Sequence, residues 1–342
     1  MQSTRPPSRS QSADGAPADD ELRDAVRAML AQAGAGEPTG IARRRSEYRS
    51  SFPLEELKVE LASGGELRLA LKRLAWDALS RDGRLAKPRF LFDAAREPAV
   101  YRQLEALAPA GPPRYMGSIP AADGNGCWLL VEWVAGRALH EVGEFSQWVA
   151  VARWLGAFHA ALARCLEVHV EPMRLLDHDA AYYRRWMQRA REFAPADDVS
   201  PGAAAFLEWL SRRHDGILEA LLELPRTVIH GDFNAANVLV SGPGESLRVA
   251  PVDWELAASG PGLMDLAALI SGGWSAAEQE RMVDAYAAVD GVASFTARAL
   301  LLARLQLAVQ WLGWAPPEWI APEAQRHDWL ADASELAERL EI

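Results

Sequence analysis

Apolar positions along the chain follow two periods. Leu22, Val26, Met29 and Leu30 share one helical face, and Gly34 ends the run, so the spacing predicts a short helix over residues 20–33. Residues 41–48 suit a first strand. Leu57, Val59 and Leu61 then alternate with Glu56, Lys58 and Glu60. After the turn Ser63-Gly64-Gly65, Leu67, Leu69 and Leu71 alternate with Arg68, Ala70 and Lys72, which predicts a hairpin. Val100, Tyr101, Leu104 and Leu107 form another helical face, and residues 128–134 an apolar strand closed by Ala135-Gly136.

From Glu144 the period turns helical, with Trp148, Val151, Ala152, Leu155, Phe158 and Leu162 in register. Residues 177–193 and 203–224 read as further helices, 227–229, 238–240 and 247–252 as short strands, and the chain from Leu263 on as mostly helix. The pattern is therefore α+β. A strand-rich part over residues 21–134 precedes a helix-rich part over 135–342 that carries a small β insert, and there is no internal repeat.

Composition narrows the function. With 342 residues, 49% of them hydrophobic, the chain suits two lobes with full cores. No apolar run reaches the ~18 residues of a membrane span. Residues 1–20 are rich in Ser, Pro, Gln and Asp without an apolar stretch, so a disordered tail and a cytoplasmic protein are expected. Cys127 and Cys165 lie in apolar surroundings without metal-ligand spacing and read as two buried thiols. A net charge of −11 argues against nucleic acid, which needs a basic surface. A monomer or homodimer is expected. Lysine occurs only at Lys58, Lys72 and Lys87.

The chemistry concentrates in His230-Gly231-Asp232-Phe233-Asn234-Ala235-Ala236-Asn237, which runs into the strand Val238-Leu239-Val240. Val252-Asp253-Trp254-Glu255 follows after the turn Ser241-Gly242-Pro243-Gly244. Antiparallel strands joined by a tight turn bring their far ends together. Asn237 and Asp253 should then lie side by side, with Asp232 on the loop just before them. Three oxygen-bearing side chains so placed suit a hard cation such as Mg²⁺, which takes one or two carboxylates plus substrate phosphates. Phosphoryl transfer needs such a metal and a carboxylate that orients the attacking hydroxyl.

The HGDxxxxN loop followed by DWE resembles the aminoglycoside phosphotransferase and choline kinase family, which has the two-lobe protein-kinase-like fold. The resemblance implies ATP (or GTP) and Mg²⁺ as cofactors, Asp232 as catalytic base, and Asn237 and Asp253 as metal ligands. Gly262-Leu263-Met264-Asp265-Leu266-Ala267 matches the element after the metal site, where Asp265 would brace the loop backbone. Leu155-Gly156-Ala157-Phe158-His159-Ala160 resembles the helix beneath the site. His230 reads as structural. Ala70 and Lys72, opposite the leucine face of their strand, resemble the A-x-K pattern of a kinase third strand, with Ala70 against adenine and Lys72 on phosphates. A solvated strand face is the plainer reading.

Glu97 matches the expected partner of Lys72. Pro98 suits only a first helical turn, so Glu97 could instead cap that helix, with Glu105 as the substitute partner. Glu132-Trp133-Val134 matches the hinge, where backbone at Glu132 and Val134 would meet the adenine. The departure is the phosphate-covering loop. Ser46-Glu47-Tyr48-Arg49-Ser50-Ser51 stands where a glycine-rich run is expected, and Ser50 is the candidate phosphate contact.

A protein kinase is disfavoured because only twelve residues separate Asp253 from Asp265, which leaves no room for a long activation segment. A catalytically silent kinase-like binding protein is disfavoured because all three metal-site residues are present. The acceptor is expected among small-molecule hydroxyls: an aminoglycoside, amino sugar or glycosylated natural product, or alternatively choline, homoserine or a free sugar. Trp311, Trp314, Trp319 and Trp329 could offer it aromatic faces, and Glu318, Glu323, Asp328 and Glu335 could take its amines. The plainer reading makes Trp311 and Trp314 core residues and the acids solvated. Tyr182-Tyr183-Arg184-Arg185-Trp186 is a further candidate border of the acceptor site.

Overall fold

The computed structural model describes residues 19–46, 51–79, 81–108, 110–121, 125–167, 173–194, 200–314 and 327–342. Ser50, Glu47, Tyr48, Arg49, Trp319, Glu318, Glu323, residues 1–18 and the side chain of Cys165 lie outside the described residues.

Helix α1 (Asp19–Gln32) leads into strands β1 (Pro38–Arg45), β2 (Leu54–Leu61) and β3 (Glu66–Leu74). Short α2 (Arg81–Ala86), α3 (Arg96–Leu107), β4 (Tyr115–Pro120) and β5 (Cys127–Glu132) follow. These strands form one antiparallel sheet in the order β1-β2-β3-β5-β4. Side chains on a strand alternate between faces, and both faces here are covered. Leu69 and Leu71 of β3, with Trp128 and Leu130 of β5, pack against Leu22, Val26, Met29 and Leu30 of α1. Ala70 and Leu74, with Leu129 and Val131, face the larger core that runs on into the helical part. Burying that second face sets the placement of Lys72, which is 6% exposed. The solvated-face reading is thereby overturned. β4 escaped the sequence pattern because Gly117 interrupts its alternation at a bulge, where a Cβ would lie 2.6 Å from Met29 Cβ.

The remainder comprises β6 (Arg137–Ala138), α4 (Phe145–Glu167), β7 (Leu176–Asp177), α5 (Ala180–Glu192), α6 (Ala203–Ser211) and α7 (His214–Leu222). Then come β8 (Arg226–Ile229), β9 (Val238–Ser241), β10 (Arg248–Pro251), β11 (Ala258–Pro261), α8 (Leu263–Ile270), α9 (Ala276–Ala287), α10 (Ala297–Leu312) and α11 (Trp329–Arg339). The expected single helix over 203–224 is two, broken at Arg212-Arg213. Two small sheets, β10-β9-β6 and β7-β11-β8, frame the loops that carry the chemistry. Among the described residues no helix is long and apolar enough to cross a membrane. Cys127 is half-buried and its thiol donates to the Ala94 carbonyl at 3.0 Å; burial pushes its pKa up to about 12.

Candidate active site

The loop between β8 and β9 is held from three sides. Asp265, in the first turn of α8 and 1% exposed, accepts the backbone amides of His230 at 2.6 Å and Gly231 at 3.0 Å. His159 Nε2 lies 3.3 Å from the same carboxylate, and His159 Nδ1 lies 2.9 Å from the Tyr286 hydroxyl. The brace expected of Asp265 is thus in place. His230 is fully buried; its Nδ1 accepts the Asp232 amide at 3.3 Å, so Nε2 is the nitrogen that donates to the Val252 carbonyl at 2.9 Å. Burial lowers its pKa and keeps the ring neutral, as a structural role requires. Gly231 has φ +78°, and a Cβ there would lie 2.3 Å from the Leu256 carbonyl oxygen.

This loop presents Asp232 half-buried, with both carboxylate oxygens engaged. Asn234 Nδ2 donates to Oδ1 and Asn237 Nδ2 to Oδ2, each at 2.8 Å. Burial pushes Asp232 up to about 7, despite those donors. Asn237 also receives the Val252 amide on its backbone carbonyl at 2.9 Å, which extends the β9–β10 pairing of Val238 with Pro251. The hairpin therefore sets Asn237 beside the segment that leads into Asp253, as its sequence implied. Asp253 has left-handed backbone, with φ 68°. That conformation is uncommon outside glycine and turns the chain sharply at the site.

Lys72 reaches across from β3. Its Nζ lies 2.8 Å from Glu97 Oε2 and 2.5 Å from Asp253 Oδ1. Burial works against its charge, but Asp253 and Glu97 outweigh burial and hold the ammonium above its ordinary range. Asp253 is half-buried, and Lys72 and Lys87 hold its carboxyl below the usual range against the cost of desolvation. The position of Glu97 is decided as well. It lies within α3, which starts at Arg96 without a side-chain cap, and Pro98 falls in the first turn where its missing amide costs nothing. Glu97 therefore pairs with Lys72, while Glu105 lies on the surface beside Arg114. Ala70 shares the Lys72 face. The Glu132 carboxylate bonds Arg248 of β10 at 2.6 Å and ties the large sheet to the small one. The Val134 carbonyl accepts from Gly136 at 3.0 Å.

Three participants escaped the sequence reading. Lys87, 4% exposed, pairs with Glu255 of the DWE segment, and the Phe52 ring lies under both ammonium groups, 4.7 Å from Lys87 Nζ and 5.4 Å from Lys72 Nζ. Lysine scarcity left Lys87 among three candidates behind Lys72, and no motif marks its position just after α2. Asn234, inside the motif, was passed over as spacing. Beyond the motif, a small enclosed cavity of about 20 Å³ opens beside Asp232, lined also by Trp311, Trp314, Met264 and Leu307. Trp311 and Trp314 are thus cavity walls. Asp328 caps α11 by accepting the Ala331 amide, and Glu335 sits within that helix beside Arg339. Tyr182, Tyr183 and Trp186 are core residues, with Tyr182 stacked on His178 of the cavity wall.

Asn237 and Asp253 fit a magnesium site. The Asn237 amide nitrogen is committed to Asp232, which turns its Oδ1 away, and Asp253 is ionised. Among the described residues no group of three or more His, Cys, Asp or Glu forms a closed metal cage. Two protein oxygens, with phosphates and waters completing the shell, match the habit of Mg²⁺.

The sequence profile of the Phosphotransferase enzyme family matches residues 58–302. No curated protein sequence matches the chain. Among solved structures, a choline/ethanolamine kinase family protein from Mesorhizobium loti is 20% identical with a TM-score of 0.52, covering 94% of this chain and 93% of that one. A microcompartment-associated aminopropanol kinase is 17% identical with a TM-score of 0.58, over 92% and 95%. The GDP complex of aminoglycoside 2'-phosphotransferase-IIIa is 14% identical with a TM-score of 0.52, over 94% and 99%. These likenesses show the protein-kinase-like two-lobe fold, and with the profile match spanning the loop, hairpin and brace described above, the chain belongs to the phosphotransferase enzyme family.

Proposed function

We propose that this phosphotransferase uses ATP and Mg²⁺ to phosphorylate a hydroxyl of a small molecule, with Asp232 as the catalytic base. The observation that carries the reading is the convergence of two networks on one cleft: Asp232 with Asn237, and Lys72 with Glu97 and Asp253. Lys72 moves its ammonium from Asp253 onto the α/β-phosphates when nucleotide enters, while Glu97 keeps its stem aligned. Asn237 Oδ1 and Asp253 hold the magnesium, which when bound neutralises phosphate charge. Asp232 accepts a hydrogen bond from the acceptor hydroxyl and orients it in line with the γ-phosphorus. The new O–P bond forms as the bond to the ADP oxygen breaks, and the hydroxyl proton passes to Asp232. A carboxyl pushed up to about 7 is well matched to that task near neutral pH.

Ala70 and backbone at Glu132 and Val134 are the adenine-side contacts in this reading, within a nucleotide-binding lobe that ends near residue 134. Ser50 remains the proposed phosphate contact. The GDP complex of a relative keeps GTP as the second nucleotide to test. Aminoglycosides, amino sugars and glycosylated natural products are the first acceptor classes, with choline, homoserine and free sugars next, in a cytoplasmic monomer or homodimer. A silent binding protein is disfavoured by the intact Lys72–Glu97 pair.

The test is a coupled ADP-release assay with Mg²⁺ and ATP or GTP across those acceptors, run beside Asp232→Asn. Acceptor-dependent release that vanishes in the variant is expected, with nucleotide binding retained by calorimetry. Full turnover by the variant would remove Asp232 from the chemistry.

A further inference from the structure

The segment Asp253-Trp254-Glu255 is held in an uncommon shape. Asp253 has φ 68°, and a non-glycine residue persists there only where its surroundings over-determine it. On one side the fully buried Trp254 donates its indole N–H back to the Pro251 carbonyl at 3.1 Å. Lys72 grips the Asp253 carboxylate, but in the mechanism above that grip is released when the ammonium passes to the phosphates. A hold on Asp253 that survives nucleotide entry has to come from elsewhere.

Arg96, the first residue of α3 and 5% exposed, supplies one. Its Nη1 donates to the Glu255 carbonyl and to the Leu91 carbonyl, each at 2.7 Å. Its Nε donates to the Arg174 carbonyl at 2.9 Å. Those carbonyls sit in three segments: the turn before α3, the metal segment and the approach to β7. The last two are themselves joined, because the Leu176 amide bonds the Ala257 carbonyl at 3.0 Å and β7 pairs with β11 just beyond. A guanidinium presents its donors in a rigid fork, so one buried side chain fixes all three acceptors at once. Each acceptor is main chain, which neither nucleotide nor metal displaces from Arg96. Lys87 also holds this segment, but through the Glu255 side chain. The first turn of α3 therefore reaches the metal segment twice, through Glu97 and Lys72 to the Asp253 carboxylate and through Arg96 to the backbone two residues on.

We propose that Arg96 is a positioning residue for the magnesium site: it fixes the Glu255 carbonyl, and with it the backbone turn that aims the Asp253 carboxylate, and it keeps that aim after Lys72 has left. This rests on the function and metal site proposed above. Arg96 itself touches neither metal nor substrate, so its effect is read in metal affinity at fixed nucleotide.

The experiment titrates Mn²⁺, which shares the oxygen-ligand preference of Mg²⁺, into the protein with saturating ADP, and follows the free ion by electron paramagnetic resonance. No acceptor is needed. Arg96→Met keeps the apolar stem and loses every donor. It should weaken Mn²⁺ binding by about 10–100-fold, the usual loss when a group that orients a metal ligand is removed, while metal-free ADP binding by calorimetry stays at the parent value. Arg96→Lys keeps the charge without the fork and should lose about 10-fold. Leu336→Ala, which empties a buried position in α11, is the stability control and should leave Mn²⁺ affinity unchanged. Parent-like Mn²⁺ affinity in folded Arg96→Met, or an equal loss in Leu336→Ala, would overturn the proposal. Should Arg96→Met not fold, Arg96→Lys decides on the same terms, and parent-like Mn²⁺ affinity there overturns it. Failure of the parent protein to bind Mn²⁺ with ADP would instead sink the underlying kinase reading.

Discussion

Replacing Asp265 by Asn tests whether one buried carboxylate organises the catalytic loop. Asp265 accepts two backbone amides, at 2.6 and 3.0 Å, and is 1% exposed. Asparagine keeps the shape but turns one of those oxygens into a donor. One charge-assisted bond worth about 1.5–3 kcal/mol is lost, and a buried N–H is stranded at a cost of about 1–3 kcal/mol. The sum, about 2.5–6 kcal/mol, is a large part of the ~5–15 kcal/mol that holds a typical domain folded. The sign with pH is also fixed. Burial opposes the Asp265 charge, but His159 and the loop donors hold the carboxyl below its ordinary pKa of 3.8. Its contribution is therefore present above pH ~4 and is lost as pH falls through the lower folded value. Urea unfolding followed by tryptophan fluorescence at pH 7.5 and pH 3.5 reads the first quantity. Steady-state ADP release, corrected for folded fraction, reads the second, where a misplaced loop should cost about 100-fold in kcat. A loss below 1 kcal/mol at pH 7.5 with kcat intact would refute the bracing argument.

Lys72→Met should lower kcat/KM for ATP by about 100-fold in the ADP-release assay, since Glu97 and Asp253 lose the cation between them; an unchanged value would take Lys72 out of the site. Lys87→Met leaves the half-buried Glu255 without its partner and should cost about 1–3 kcal/mol in chemical denaturation, with the double variant Lys87→Met/Glu255→Gln recovering most of it; no recovery would mean the pair is not coupled. The melting temperature of Asp232→Asn relative to the parent protein should be higher at pH 8.5 than at pH 5. Its folded pKa of about 7 lies above 3.8, so the native state loses stability as pH rises through 7. After discounting for partial exposure the difference is about 1–2 kcal/mol, and equal shifts at both pH values would contradict it. Gly231→Ala places a methyl 2.3 Å from the Leu256 carbonyl oxygen and should cost at least about 2 kcal/mol in melting experiments; a neutral result would show that the loop has room to shift.

Much of the molecule was legible along the chain. Period-2 runs gave β2 and β3, helical runs gave α1, α3 and α4, and the strand–turn–strand grammar brought Asn237 alongside the approach to Asp253. These features are local: side-chain periodicity and turn chemistry act over a few residues, so a linear reading captures them. Their relations across the chain were not. Lys87 meets Glu255 across 168 positions and Lys72 meets Asp253 across 181, distances over which no pattern encodes contact. Whether Glu97 capped a helix or paired with Lys72 depended on where α3 starts and how it packs on the sheet. His178 and Gln310 carry no motif, and each alone reads as an ordinary polar residue. Only the packing of the tertiary structure brings both residues to the wall of the cavity beside Asp232. The chain thus wrote the Asp232 loop in local sequence and left the cavity beside it to the fold, because that cavity is walled by residues from separate helices.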